Sequence, residues 1–199
     1  MKEFWDSRYK EPAFAYGTRP NEFFQENIDK LSTGKILLPA EGEGRNAVYA
    51  ARKGWEVSAF DYSVQAMIKT FQLAERYDAT LHYTVQDVAN FVPSEASYDV
   101  VGLFYTHFPI ELRPTFYQKV KAALKPSGLV MVEGFHKNQK FYQSGGPKDE
   151  TMLFSLEEFQ NAFEDCEMIL LEDKIIDLDE GLYHQGKAHV VRMIARKLL

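Results

Sequence analysis

The chain has 199 residues, 45% of them hydrophobic and 14% aromatic, which is enough apolar material for one large core. Its formal net charge of −6 argues against a nucleic-acid ligand, because phosphate binding depends on clustered Lys and Arg. Cys166 is the only cysteine, so no intramolecular disulfide can form. The charged first residues lack a signal-peptide core, and no apolar run approaches the roughly 18 residues of a membrane span. We expect a soluble, cytoplasmic, single-domain protein.

Residues 1–34 precede the first predicted strand and form an N-terminal arm. The arm is rich in aromatic residues, and apolar positions at helical spacing predict a helix over 21–31 with Asn21 as its N-cap. Two interpretations stay open. The arm is either a packed extension or a lid over a ligand, and in the second case Tyr16, Gly17 and Arg19 contact that ligand.

The segment Lys35–Asp61 organises the rest of the chain. A short apolar run over 35–40 ends in a proline and a glycine-bearing turn, which predicts a buried parallel strand. Gly42 and Gly44 allow close approach of backbone to a ligand, and a helix over 45–53 points its N-terminus to the same place. A second strand over 56–60 then delivers Asp61, which is placed to accept hydrogen bonds from ribose hydroxyls.

The turn after the first strand discriminates between nucleotides. It reads A-x-G-x-G over 40–44 and lacks the third glycine of the dinucleotide fingerprint G-x-G-x-x-G. Glu41 and Glu43 flank the place of a pyrophosphate, and like charges repel by on the order of 1 kcal/mol even in water. A cationic ligand fits better. S-adenosylmethionine has a ribose and an adenine, and carries a sulfonium and an ammonium instead of phosphates.

The motif GEGRNAVYAARKGWEVSAFD resembles the first two motifs of class I S-adenosylmethionine-dependent methyltransferases. The run Gly42–Ala47 is similar to the tellurite-resistance branch, which is related to the thiopurine methyltransferases and acts on soft acceptors such as thiols and chalcogen oxyanions. The usual Asp-Leu-Gly-Cys is replaced by Leu38, Pro39, Ala40 and Glu41. The resemblance implies that Glu41 substitutes for the missing Asp in holding the methionyl ammonium.

The later elements match the same family pattern. Ser63 caps a predicted helix to about residue 77, and a strand over 80–85 is followed by Asp87 and Val88. The resemblance implies that Asp87 binds the adenine amino group and that Val88 packs under the ring. A fourth strand over 98–105 ends at the ligand edge of the sheet. The predicted cofactor-binding residues are Tyr16, Gly17, Arg19, Glu41, Gly42, Glu43, Gly44, Asn46, Asp61, Tyr62, Ser63, Asp87, Val88, Phe104 and Tyr105.

The last third of the chain completes the alternation of strands and helices. A helix over 110–124, a turn over 125–128 and a strand over 129–132 are followed by a loop over 137–150. A capping box at Ser155 starts a helix to about residue 164, and strands follow over 168–178 and 188–194, joined by 179–187. The order implies an α/β, Rossmann-like class I methyltransferase fold. The resemblance to the family implies a seven-stranded, mostly parallel sheet with the last strand antiparallel and helices on both faces, with the core over 35–199.

Three side chains are candidate catalytic residues. Methyl transfer is an in-line displacement, so holding the reactants in line contributes up to roughly 7 to 11 kcal/mol. A thiolate or tellurite lone pair needs no base, whereas an amine or hydroxyl acceptor does. His107, His184 and Glu133 are the candidates for that base. The histidines lack ligand spacing and there is one cysteine, so we expect no metal.

The sequence predicts an S-adenosylmethionine-dependent methyltransferase that releases S-adenosylhomocysteine. Its expected partner is a small-molecule acceptor, such as a thiol, selenite or tellurite. We expect neither a nucleic-acid partner nor a membrane, and we expect a monomer or a homodimer. Two alternatives stay open. The altered loop at 38–41 is compatible with a non-catalytic S-adenosylmethionine-binding protein, and the strand-turn-helix with Asp61 is compatible with an NAD-dependent oxidoreductase.

Overall fold

The computed structural model describes residues 2–199, which form one seven-stranded sheet covered by helices. The strand order is β3-β2-β1-β4-β5-β7-β6. All neighbouring strands pair in parallel except β7, which is antiparallel to both β5 and β6. The elements are α1 (Lys2–Lys10), α2 (Glu22–Ile28), β1 (Lys35–Pro39), α3 (Arg45–Arg52), β2 (Glu56–Asp61), α4 (Val64–Arg76), β3 (His82–Val85), β4 (Tyr98–Phe104), α5 (Arg113–Ala123), β5 (Leu124–Phe135), α6 (Leu156–Ala162), β6 (Cys166–Glu180) and β7 (His184–Lys197).

The alternation of side chains along the central strands builds a core on each face of the sheet. On β1, Ile36 and Leu38 join the cluster that packs under α2 and α3. Leu37 points the other way, into the cluster that packs under α5 and α6. The predicted arrangement, with an antiparallel last strand and helices on both faces, is confirmed.

Two left-handed glycines shape the turn between β1 and α3. Gly42 has φ of 65° and Gly44 has φ of 80°. A Cβ on Gly44 would lie 2.4 Å from a side-chain carbon of Thr70 on α4. A larger residue there would be strained by its backbone and would also collide with α4, so this turn needs glycine.

The structure differs from the sequence-based elements in three places. Residues 2–10 form α1, where the sequence indicated only an aromatic arm. The turn predicted over 125–128 lies inside β5 as an irregularity, because Tyr98 pairs with Leu124 whereas Val100 pairs with Leu129. The connection predicted over 179–187 is shorter, since β6 runs to Glu180 and β7 starts at His184.

Other predicted features are observed. Asn21 caps α2 by accepting a hydrogen bond from the backbone N–H of Phe24 at 2.9 Å. Ser63 caps α4, and Ser155 caps α6 through the N–H of Glu158. Within residues 2–199, no helix has the length and apolar character needed to cross a bilayer.

Candidate active site

A cavity of about 640 Å³ opens at the carboxyl ends of the parallel strands. The loops after β1, β2, β3 and β4 form its floor, α1 covers one side, and the start of β7 closes another. This is the edge at which open α/β sheets bind ligands. Its volume lies within the roughly 300 to 1,000 Å³ of small-molecule sites.

Glu41 caps the helix that follows the glycine turn. Its Oε1 accepts hydrogen bonds from the backbone N–H groups of Asn46 at 2.9 Å and Ala47 at 2.8 Å, near the first turn of α3. Burial raises the pKa of Glu41 to about 7, although these N–H groups and Arg45 oppose that rise. The Glu41 carboxyl lines the cavity, and a cation bound beside it would favour its charged form.

Asp61 ends β2 as a buried carboxyl at the wall of the cavity. It accepts hydrogen bonds from the N–H of Ser63 at 2.9 Å and from the N–H of Gly42 at 3.3 Å. Burial raises its pKa to about 6 despite these bonds. Tyr62 lies beside it in the lining, and burial raises the pKa of the Tyr62 phenol as well.

The loop after β3 brings Asp87 and Val88 to the same cavity. Asp87 is exposed, and its Oδ1 accepts a hydrogen bond from the N–H of Ala89 at 2.9 Å. Val88 is half-buried. An acid and an apolar side chain thus lie next to each other at this end, as the predicted adenine site requires.

Glu43 anchors the N-terminal arm. Its Oε1 lies 2.7 Å from Lys69 Nζ, and its Oε2 accepts a hydrogen bond from the N–H of Ala15 at 2.7 Å. Lys69 also donates to the carbonyl of Ala13. Both carboxylate oxygens are therefore used within the protein, although Glu43 contributes to the cavity lining. The pair fixes the arm over the glycine turn.

His184 is the first residue of β7 and is held by Glu180, which is in turn paired with Arg45. Glu180 Oε2 lies 3.0 Å from its Nδ1, and Arg45 Nη2 lies 3.0 Å from the same oxygen. Burial raises the pKa of Glu180, but Arg45 and His184 outweigh it and lower that pKa to about 2. Because a carboxylate only accepts hydrogen bonds, Nδ1 carries the proton.

This pairing leaves the other nitrogen of His184, Nε2, without a hydrogen-bond partner among residues 2–199. Burial lowers the pKa of His184, even though Glu180 raises it. The ring is therefore neutral at neutral pH, lines the cavity, and packs against Tyr16 and Tyr105 with centroids 4.4 and 4.6 Å away. It has the features of a proton acceptor.

His107 lines the same cavity but is engaged at both nitrogens. Nδ1 lies 2.8 Å from the carbonyl oxygen of Met152, and Nε2 accepts a hydrogen bond from the N–H of Phe135 at 3.3 Å. Burial lowers its pKa to about 3. The geometry therefore favours His184 over His107 as the base.

Glu133, the third predicted base, is enclosed within the protein. Arg192 Nε donates to its Oε2 at 2.6 Å, and its Oε1 accepts from Asn21 Nδ2 at 2.6 Å and from the Tyr105 hydroxyl at 2.9 Å. Asn21 Nδ2 also reaches Glu180 at 3.2 Å. The position of Glu133 is suited to holding Tyr105 and Asn21 beneath the cavity rather than to accepting a proton from a ligand.

Most of the predicted cofactor-binding and catalytic residues converge on this cavity. Within the described chain, Arg19, Gly44, Ser63 and Glu133 lie outside its lining. Arg19 is exposed and pairs with Asp179 at 2.7 Å. The predicted residues in the lining are Tyr16, Gly17, Glu41, Gly42, Glu43, Asn46, Asp61, Tyr62, Asp87, Val88, Phe104, Tyr105, His107 and His184.

Comparison with known proteins shows what the segment that carries this site is similar to. Residues 36–128 match the sequence model of a family described as a methyltransferase domain. The match covers a little under half of the chain, so the segment resembles such a domain. It runs from β1 into β5 and includes the glycine turn, Asp61 and Asp87.

A curated relative supports the same class. The glycine/sarcosine N-methyltransferase of Aphanothece halophytica is 26% identical over 148 residues, which are 66% of this chain and 55% of the relative. The chain thus spans about half the length of the curated relative that it matches. The predicted S-adenosylmethionine-dependent methyltransferase class agrees with this likeness.

Solved structures show the fold of the whole chain. A structure described by the conversion of a disulfide bond into a thioacetal group during echinomycin biosynthesis has a TM-score of 0.80 at 16% identity, covering 100% of this chain and 92% of that chain. TehB from Haemophilus influenzae has a TM-score of 0.73 at 17% identity, covering 98% of this chain and 66% of that chain. The chain therefore has the Rossmann-like fold of these structures, and the segment that matches the methyltransferase-domain model lies within it.

Among the residues around the site that the sequence did not single out are Arg8, Arg45 and Glu180. Arg45 and Glu180 are 135 positions apart, and only the fold brings them together. One local signal was available for Glu180. It precedes His184 by four residues in a glycine-bearing turn, a spacing at which a carboxylate can hold an imidazole.

Proposed function

We propose that this chain transfers a methyl group from S-adenosylmethionine to a small-molecule acceptor, and that the acceptor is a thiol or a chalcogen oxyanion. The observation that carries the proposal is one cavity lined both by the carboxyl groups of Glu41, Asp61 and Asp87 and by His184, whose ring is held by Glu180. A cation-bearing cofactor suits the carboxyl groups, and a thiol that loses its proton suits His184, whereas a chalcogen oxyanion reacts through a lone pair and needs no base.

The carboxyl groups fit the cofactor one by one. Glu41 is positioned to pair with the methionyl ammonium, Asp61 with the ribose hydroxyls and Asp87 with the adenine amino group. The raised pKa values of Glu41 and Asp61, about 7 and about 6, mean that both acids lack a cationic partner within the protein strong enough to offset burial. An ammonium group would supply one.

The acceptor end supports proton removal. When bound, the cofactor would supply an electrophilic methyl group to the acceptor, with its sulfonium as the leaving group. His184 Nε2 takes the acceptor's proton, while Glu180 and Arg45 fix the ring and its tautomer. Tyr16 and Tyr105 pack against the ring and limit access of water.

Sulfur acceptors have further support. The motif at 42–47 resembles the branch that acts on soft acceptors, and one structural neighbour is described by a reaction at a disulfide. The net charge of −6 and the size of the cavity favour a small acceptor over a nucleic acid. A cytoplasmic monomer or homodimer stays the proposed setting.

Calorimetry with S-adenosylmethionine tests the cofactor, and a panel of 2-mercaptoethanol, selenite and tellurite tests the acceptor. We expect saturable cofactor binding and transfer of labelled methyl to at least one panel member. Absence of cofactor binding at high micromolar concentration by folded protein would refute the proposal. Equal thermal stabilisation by NADH would favour the oxidoreductase alternative instead.

A further inference from the structure

Arg8 on α1 lies in the wall of the cavity with its guanidinium held in a fixed orientation. Its central carbon is 4.5 Å from the ring centroid of Phe4 and 4.0 Å from that of Tyr183. Nη1 donates to the Tyr16 hydroxyl at 2.9 Å. Together, the aromatic contacts and the bond to Tyr16 use one of the five N–H donors of the guanidinium, so the remaining N–H groups are available for a polar partner.

Arg8 differs from the other cations around this site. Arg45 pairs with Glu180 at 3.0 Å, and Lys69 pairs with Glu43 at 2.7 Å. Among residues 2–199, no carboxylate oxygen lies within 4.0 Å of an Arg8 nitrogen. A half-buried arginine that lines a ligand cavity thus lacks an anionic partner in the part of the chain described.

Lys148 is the other cation in the cavity wall that forms no ion pair within residues 2–199. It is exposed and follows Gly146 and Pro147 in a loop, beside the exposed Asp149. A flexible ammonium next to a carboxylate is a weaker anion site than an oriented guanidinium with planar donors. Arg8 is therefore the better placed of the two.

We propose that Arg8 is the oxyanion-binding residue of this cavity and that it pairs, in the plane of its guanidinium, with a carboxylate of a bound small molecule. The inference rests on the proposed function. The carboxylate has two possible sources, the methionyl group of S-adenosylmethionine and an anionic acceptor. The loop acids cannot hold it, because Glu41 and Asp61 would repel a carboxylate.

The surroundings of His184 agree with an anion at this position. Burial lowers the pKa of His184, and Arg45 and Arg8 lower it further, which places Arg8 within electrostatic reach of the proposed base. Tyr16 joins the two, since it accepts from Arg8 and packs on His184 with centroids 4.4 Å apart. A carboxylate on Arg8 would thus be bound close to the reacting end of the cavity.

The test compares wild type with Arg8→Gln and with Lys10→Gln, which removes a charge from the exposed side of the same helix, outside the cavity lining. Calorimetry measures binding of S-adenosylmethionine and of decarboxylated S-adenosylmethionine. Initial rates measure KM for 3-mercaptopropionate and for 2-mercaptoethanol. Arg8→Lys is a second variant that keeps the charge and loses the planar fork.

If Arg8 binds the cofactor carboxylate, Arg8→Gln weakens S-adenosylmethionine binding about tenfold or more and leaves the decarboxylated cofactor unchanged. If it binds an acceptor carboxylate, KM for 3-mercaptopropionate rises by a similar factor relative to 2-mercaptoethanol. In either case Arg8→Lys recovers part of the loss, and Lys10→Gln behaves as wild type.

Equal losses for the charged and uncharged member of each pair would show that Arg8 only holds α1 in place, and would overturn the proposal. Unchanged binding and unchanged KM ratios would overturn it too. If wild type binds neither form of the cofactor, the proposed function itself fails, and the Arg8 inference fails with it.

Discussion

Two groups of charged residues at the cavity differ in their electrostatics: Glu41 and Asp61, here called the cofactor end, and His184 with Glu180 and Arg45, here called the acceptor end. At the cofactor end, Glu41 and Asp61 are carboxyls whose pKa values burial raises to about 7 and about 6. At the acceptor end, Glu180 is paired with Arg45, and this ion pair contributes to lowering its pKa to about 2. Within residues 2–199, Glu41 and Asp61 form no ion pair, whereas Glu180 is paired with Arg45. The cofactor end is therefore suited to binding a cation, and the acceptor end to orienting the base His184.

The largest expected effect is at the acceptor end. His184→Gln removes the proton acceptor, and we expect kcat with a thiol to fall by about 100-fold to 10,000-fold. Affinity for S-adenosylmethionine should stay the same, because the Glu41 and Asp61 end is untouched. Initial rates and calorimetry measure the two quantities. The rate with tellurite, which needs no deprotonation, serves as the internal control, and an equal loss with both acceptors would contradict a role as base.

At the cofactor end, Asp61→Ala should weaken S-adenosylmethionine binding by about 1 to 3 kcal/mol, because charge-assisted hydrogen bonds to the ribose are lost. Asp177→Ala, on the exposed edge strand β6, is the matched control. Calorimetry reads the change, and circular dichroism verifies the fold. An unchanged dissociation constant in Asp61→Ala would refute the ribose site.

Glu41→Gln should have a smaller effect on binding, about tenfold, because it removes a charge from the proposed ammonium site. The fold should be spared. A single oxygen of Glu41 accepts from both Asn46 and Ala47, and the amide oxygen of Gln can do the same. Thermal unfolding should therefore change little, and a large drop in Tm would show that the ionised carboxylate is needed to cap α3.

A further expected effect is a pH dependence that the acceptor end does not share. On folding, the pKa of Asp61 rises from 3.8 to about 6, and the pKa of Glu41 rises from 4.5 to about 7. Over this window the folded protein holds more protons than the unfolded chain, so their contribution to stability is fully present below about pH 4 and is lost as pH rises through about 6 and about 7.

A bound cation favours the ionised carboxyls, so S-adenosylmethionine affinity should strengthen as pH rises through the same window. Urea unfolding and calorimetry at about pH 5 and about pH 8 measure both trends. Glu41→Gln should flatten each of them. Affinity that weakens as pH rises would contradict the assignment of these acids to the cofactor end.

The same division separates what the sequence could predict from what it could not. The cofactor end is built from consecutive strand ends, so the local run 35–61 was enough to predict β1, the turn, α3 and Asp61. The acceptor end depends on contacts between distant parts of the chain. Glu180 meets Arg45 across the sheet, and Asn21 bridges Glu133 and Glu180.

Helix α1 was missed for a related reason. A helix of nine residues is marginal by itself, and its stability comes from docking. Trp5 and Tyr9 stack with centroids 5.4 Å apart, and Asp6 accepts a hydrogen bond from Ser63 on the far side of the glycine turn. The first residues show no helical spacing of apolar positions that would predict those contacts, so the sequence indicated an arm and not a helix.

The central claim is that one cavity holds S-adenosylmethionine at its acidic end and activates a small acceptor at the other. Transfer of labelled methyl from S-adenosylmethionine to the panel of 2-mercaptoethanol, selenite and tellurite tests it most directly. The account predicts label in at least one methylated product, with an equal amount of S-adenosylhomocysteine released. Folded protein that binds the cofactor and labels none of these acceptors would contradict the account and favour a non-catalytic binding protein.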